Sequence, residues 1–179
     1  MPKKGYTNLF NKMISNPNIE VVLKTSYGDV EKKVQPKKAI IYTGPPDVFF
    51  NYKYGKLKWR SLKFNFKTFK KKKIQECVQI NFPNIKKYTR KVEIKHVTKQ
   101  KINFSTISYE FPKSTGDPYY PINDVRNRIM FKKYDKLIKE AEKKNIFFEG
   151  RLAKYKYLNM DEVIERALLL FKKLKDKYN

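Results

Sequence analysis

The 179-residue sequence holds one cysteine, one histidine, one tryptophan and six glycines. Cys77 alone cannot close a disulfide within the chain, and Cys77 with His96 cannot assemble a Cys/His zinc site, so no metal is expected. Ser/His/Asp or Cys/His catalysis would have to run through His96 alone. The glycines are Gly5, Gly28, Gly44, Gly55, Gly116 and Gly150, and none forms a Gly-x-Gly, so the dinucleotide-binding fingerprint is missing. No apolar run approaches the roughly 20 residues of a membrane span. The N-terminus is basic but lacks an apolar stretch and a small-residue cleavage site; no secretory signal is expected, and the default location is the cytoplasm.

Acidic residues are also scarce: 42 Lys+Arg stand against 17 Asp+Glu, a formal net charge of +25. Only six of the basic residues are arginine, and the lysines are dispersed along the chain with asparagine. Arginine does most bidentate reading of bases and phosphates, and RNA-binding sheets carry aromatics in a recognisable motif; neither pattern occurs, so no specific nucleic-acid partner is expected. The one charge run, Lys70-Lys71-Lys72-Lys73, reads as a solvated loop. Apolar material is ample, with 40% hydrophobic residues, 13 Phe and 13 Tyr, enough for a packed core.

Tyr6, Leu9, Phe10, Met13 and Ile14 recur at helical spacing and predict an opening helix with one buried face, stopped by Asn16-Pro17-Asn18. Apolar strands are expected at Ile19 to Lys24 and Ala39 to Tyr42, the second exiting into Thr43-Gly44-Pro45-Pro46-Asp47. From about Leu57 to Phe111 the period becomes two: Leu62, Phe64 and Phe66, then Val78, Ile80 and Phe82, then Val92, Ile94 and His96. This predicts an antiparallel meander with one wet and one dry face, with His96 on a strand face as a satisfied core histidine. A Pro/Gly-rich connector runs from Pro112 to Pro121. Met130, Tyr134, Leu137, Ile138 and Ala141 mark a second amphipathic helix, and Ile146-Phe147-Phe148 a short buried strand. Asn159, with Glu162 three residues on, caps a last helix whose apolar face is Val163, Ile164, Ala167, Leu168, Phe171 and Leu174.

Three local patterns could carry chemistry. Pro118-Tyr119-Tyr120-Pro121 offers two hydroxyls on a stiffened backbone, suited to a nucleotide or sugar phosphate or, equally, to a core aromatic corner. Tyr88-Thr89-Arg90 places a lone arginine on a strand, where it serves either a diphosphate or a structural ion pair. Gly150 to Asn159 lies between a buried strand and a capped helix, and a strand, a glycine turn and a helix N-terminus can form an anion site.

Taken in order, these motifs resemble one family. They are Tyr42-Thr43-Gly44-Pro45-Pro46-Asp47, Trp59-Arg60-Ser61-Leu62-Lys63-Phe64, Tyr88-Thr89-Arg90 with Lys95-His96, Glu110-Phe111-Pro112, Pro118-Tyr119-Tyr120-Pro121, and Gly150-Arg151-Leu152 through Tyr155-Lys156-Tyr157 with Met160-Asp161. Their order and spacing are similar to those of prokaryotic-type UDP-galactopyranose mutases, and the chain is expected to correspond to the C-terminal part only.

The resemblance implies interconversion of UDP-galactopyranose and UDP-galactofuranose through a sugar adduct at N5 of reduced FAD, for galactofuranose glycans such as cell-wall polysaccharide. It implies that Arg90 clamps the UDP diphosphate and that Tyr120 and Tyr157 hydrogen-bond it. Glu110 would hold the arginine in place, Asn159 would stand at the substrate rim, and Gly44, Gly150 and Arg151 would lie against the cofactor. It also implies an α+β or α/β fold: an antiparallel sheet (48–118) inserted into a Rossmann-like FAD domain (1–47 and 119–179) that lacks its first βαβ unit. The partners would be the UDP-sugar, a separate chain carrying the N-terminal half, or a second copy. Two departures stand out. Family Gly-Gly-Arg reads Glu149-Gly150-Arg151 here, which brings a carboxylate near an anionic cofactor, and family Tyr-Asp-Met reads Leu158-Asn159-Met160. An inactive remnant or interaction module is the alternative reading.

Overall fold

Helical and alternating spacings both become real elements in the computed structural model, which describes residues 2 and 4–179. In chain order these are α1 (Gly5–Met13), α2 (Tyr27–Val30), β1 (Ile40–Tyr42), α3 (Pro46–Phe49), β2 (Trp59–Phe69), β3 (Gln79–Asn81) and β4 (Arg90–Glu93). They continue with α4 (Lys95–Thr98), β5 (Ser105–Lys113), β6 (Tyr120–Pro121), α5 (Val125–Lys143), β7 (Ile146–Phe148) and α6 (Met160–Tyr178). The chain divides into two compact units, one of Met1–Thr25 with Leu62–Lys113, the other of Ser26–Ser61 with Ser114–Asn179. The result is a mixed α and β architecture with an antiparallel sheet.

In the first unit the strand order is β3-β4-β5-β2. Only β3, β4 and β5 form a meander; β2 lies beside β5 rather than beside its successor in sequence. The antiparallel register sets Asn81 opposite Arg90 and Arg90 opposite Glu110, so one row across three strands carries these polar residues. His96 is not on a strand. The chain turns into α4 after Glu93, and Lys99 ends that turn in the left-handed region at φ 53°. His96 Nε2 there sits 2.8 Å from the Gln75 carbonyl, a satisfied and half-buried histidine on a helical turn.

Two expectations for the first unit fail together. The opening helix forms, but none of its residues is buried, and Leu9, Phe10, Met13 and Ile14 are exposed. Ile19 to Lys24 form no strand, and Val21, Val22 and Leu23 face solvent. An apolar run becomes a strand only where it pairs with a sheet edge and packs on a surface, and Ile19 to Lys24 pair with no strand among the described residues.

In the second unit β1 and β7 pair in parallel, with Ile40, Ile41 and Tyr42 opposite Ile146, Phe147 and Phe148. The 19-residue helix α5 packs on β7. Asp124 starts it by accepting the Asn127 N–H at 2.7 Å, and Tyr134, Ile138 and Ala141, at the expected spacing, are buried. Its core is aromatic: Tyr42 and Phe148 meet Phe49 edge-on at 4.8 and 4.9 Å between centroids, and Phe50 stacks on Phe148 at 5.6 Å. The buried Tyr134 hydroxyl donates to the Gly55 carbonyl at 2.8 Å and accepts the Tyr54 N–H at 3.0 Å, closing the turn after α3. The last helix forms with its Asn159/Glu162 capping box, yet it has no buried residue, so its predicted apolar face is largely exposed.

Candidate functional site

Within the first unit the polar row focuses on Arg90. Its Nη1 donates to Glu110 Oε2 at 3.3 Å and its Nε to Asn81 Oδ1 at 3.2 Å. Glu110 is nearly buried, and its backbone carbonyl accepts the Thr89 N–H at 2.9 Å, so the carboxylate stands on a fixed strand. Guanidinium carries five N–H donors in a rigid fork; two are spent on positioning and the others remain for an anion. The structure thus brings together Arg90 and Glu110, the pair the resemblance implies, and adds Asn81, which the sequence alone does not single out.

A second polar focus in this unit was not anticipated. Glu93 is fully buried and accepts hydrogen bonds from the N–H groups of Ile74 at 3.1 Å and Gln75 at 2.8 Å and from the Ser105 hydroxyl, with His96 at 3.3 Å. Burial pushes its carboxyl up, but the bonds from Ser105, Gln75 and Ile74 and the charge of His96 outweigh that and hold it below the usual glutamate range. It fixes the segment after Lys70-Lys73 to the sheet, and nothing in its local sequence marks it as buried.

In the second unit the loops after β1 and β7 leave side by side, since Tyr42 is opposite Phe148 and the Glu149 N–H reaches the Tyr42 carbonyl at 3.1 Å. Gly44 and Gly150 therefore both sit at the carboxyl ends of parallel strands, where open α/β sheets take their ligands. The two differ. A Cβ on Gly44 would lie 2.6 Å from the Tyr42 hydroxyl, so internal packing already requires glycine there. Gly150 has φ +98° and open space where a Cβ would stand, a backbone surface that a flat ring can approach. That open face has the shape a flavin edge would need, while the sequence holds no Gly-x-Gly for a dinucleotide pyrophosphate.

The expected anion site at a glycine turn and helix N-terminus does not form. Residues 151–156 fold into turns, and α6 starts only at Met160, nine residues beyond Arg151, with the N–H groups of Asn159 and Glu162 engaged by their capping box. Those turns instead project the aromatic cluster. Tyr120 and Tyr157 stack with centroids 5.8 Å apart at 14°, and the Arg151 guanidinium lies 4.6 Å from the Tyr157 ring and 5.9 Å from Tyr120. Arg151 also donates to the Tyr119 carbonyl at 3.3 Å. Tyr120 thus stacks on Tyr157 from 37 residues further along the sequence (157 − 120 = 37). Asn159 is exposed at the head of α6, two residues after Tyr157.

Tyr155, named in the sequence only as part of a motif and given no role there, organises this turn. Its backbone is left-handed at φ 45°, its hydroxyl sits 2.5 Å from the Lys58 carbonyl and 3.0 Å from that of Ile122, and its ring meets Trp59 edge-on at 4.8 Å. Those bonds join the turn to the residue before β2 and the residue after β6, the strand that carries Tyr120. The Glu149 carboxylate is neutralised: Oε1 accepts the Gly150 N–H at 3.1 Å and lies 3.5 Å from Arg166, and Oε2 lies 3.8 Å from Lys154.

Residues 1–157 match the family model for UDP-galactopyranose mutase. The chain is 40% identical to the UDP-galactopyranose mutase of Mycoplasma genitalium, over 92% of this chain and 44% of that protein. It is 35% identical to a probable UDP-galactopyranose mutase of Klebsiella pneumoniae, over 94% and 44%, and 34% identical to the dTDP-fucopyranose mutase of Escherichia coli, over 94% and 46%. The chain thus spans a little under half the length of these relatives. By its motifs, its folded units and these matches, the chain belongs to the UDP-galactopyranose mutase family.

Proposed function

We propose that this chain supplies the diphosphate-gripping side of a UDP-galactopyranose mutase, acting with reduced FAD and with the part of a mutase that these 179 residues do not span. The observation that carries this reading is the Arg90 clamp, held at 3.3 Å by Glu110 with donors to spare. In this reading Arg90 binds the pyrophosphate and meets the charge that grows on it as the bond to the sugar breaks. The Tyr120 and Tyr157 hydroxyls add neutral donors, and Arg151 lowers the cost of gathering negative charge beside them. Asn159 stands at the rim with one amide where the family pattern has a carboxylate, leaving the substrate's approach less repelled. Gly150 presents its open face to the flavin, and Glu149, tied to Lys154 and Arg166, adds little net negative charge there. When bound, reduced FAD supplies the nucleophile that takes the sugar from UDP. The folded frame is read as the Rossmann-like part of an FAD domain with an inserted sheet, working in the cytoplasm.

Several relatives are named for UDP-galactose and one for dTDP-fucose, so the substrate class is a nucleoside diphosphate hexose with UDP-galactose as first choice. The test is to mix the purified chain with the segment of the Mycoplasma genitalium mutase that it does not span, add dithionite-reduced FAD and UDP-galactofuranose, and follow UDP-galactopyranose. Turnover is expected, with Arg90→Ala lowering it about 10²–10³-fold, the usual cost of one charge-stabilising donor. A stable complex without turnover would sink the proposal in favour of an inactive remnant.

A further inference from the structure

Helix α6 presents two different faces. One is tied to the β1–β7 pair: Arg166 to Glu149 at 3.5 Å, Lys173 over the Phe147 ring at 5.3 Å, Lys177 to Asn145 at 2.5 Å, and the Tyr178 hydroxyl to the Lys38 carbonyl at 2.6 Å. These contacts run from the end of β7 back to the starts of both strands, so α6 lies antiparallel along the pair. Residues 166, 173 and 177 fall on one side of a helical wheel at about 100° per residue. On the opposite side stand Met160, Ile164, Leu168 and Phe171, at 61%, 57%, 63% and 64% exposure. Their spacing of four, four and three residues makes an apolar stripe roughly 16 Å long at 1.5 Å per residue.

We infer that this stripe is the docking face for the remainder of a mutase, delivered as an α/β polypeptide that extends the β1–β7 sheet. The inference rests on the mutase reading above and names the surface through which the complement binds. Three observations choose this occupant. The chain accounts for only 44–46% of the length of its relatives, so a complement of comparable size exists in the family. The β1–β7 pair is a two-stranded parallel sheet, whereas parallel sheets are larger and covered on both faces. Ile41, in the middle of β1, is half-exposed, so the layer is open on the strand as well as on the helix. Lys172 and Lys175 follow the stripe, which calls for an acidic rim on the partner.

The test uses the whole chain and the unspanned segment of the Mycoplasma genitalium mutase as probe. Binding is measured by calorimetry and self-association by sedimentation, for the wild-type chain, Leu168→Glu and Arg90→Ala. Saturable binding by wild type, weakened at least tenfold in Leu168→Glu with no change in that variant's own melting curve, is the expected result. Arg90→Ala should bind like wild type while losing turnover, which separates failure of the mutase reading from failure of the docking face. Equal binding by wild type and Leu168→Glu, or no binding by wild type, would overturn the inference. So would a wild-type dimer that Leu168→Glu abolishes, because the stripe would then belong to a second copy.

Discussion

Replacing Tyr155 by phenylalanine removes one oxygen from a site that the structure describes fully. The ring keeps its place against Trp59, and the Lys58 carbonyl keeps the Ile122 N–H at 3.1 Å, but the Ile122 carbonyl loses its tyrosine partner. Leaving this part-buried acceptor unmet costs up to the full buried-acceptor penalty of about 1–3 kcal/mol. With a urea slope of about 2 kcal/mol/M, the midpoint falls by about 0.5–1.5 M. Trp59 is the sole tryptophan and touches the mutated ring, so its fluorescence reports unfolding of the second unit directly. The pH dependence supplies a second reading. Burial pushes the Tyr155 hydroxyl from 10.0 up to about 12, aided by Asp124 and Asp47 and opposed by its bond to Ile122. Between pH 10 and 12 the folded state keeps a proton that the unfolded state has lost, so the contribution of Tyr155 is whole below pH 10 and declines as pH rises through this window. The gap between wild type and Tyr155→Phe should therefore narrow above pH 10. A midpoint shift under about 0.2 M, or a gap unchanged from pH 8 to 12, would refute this account of the turn.

Glu93→Gln should destabilise the first unit by about 1–3 kcal/mol, because an amide nitrogen would face N–H donors that now find an oxygen. The same change should flatten the acid limb of stability: with its carboxyl held low, Glu93 contributes above the usual glutamate range and loses that contribution as pH falls through the lowered value, read by circular dichroism from pH 6 to 2. Gly44→Ala should lower thermal stability even without cofactor, since its Cβ would sit 2.6 Å from the Tyr42 hydroxyl; an unchanged melting temperature would show that the loop yields without cost.

Elements whose partners lie on their own surface were legible in the sequence. The spacing of Tyr134, Ile138 and Ala141 gave α5 its buried face, and Asn159 with Glu162 marked the start of α6, because both signals are local. Ile19 to Lys24 and the face of α1 misled for the opposite reason: apolar character says that burial is favourable and not that a surface is there to provide it. The row Asn81, Arg90 and Glu110 depends on strand register, which residue spacing within a strand does not encode; the arginine was conspicuous by rarity and its carboxylate only by family resemblance. The roles of Tyr155 and Glu93 were not legible because their importance lies in backbone groups they satisfy, and those groups are chemically identical at every position.

The parallel pairing of Ile40–Tyr42 with Ile146–Phe148 also has a temporal side. The first strand leaves the ribosome 106 residues before its mate (146 − 40 = 106), which at about 5–20 residues per second is a wait of about 5–20 s. For that interval Ile40, Ile41 and Tyr42 have no sheet to join, and closing so long a loop is entropically expensive once the mate arrives. Production of this chain is thus expected to improve in the cold with holdase chaperones, which shelter an early strand until its late partner has been made.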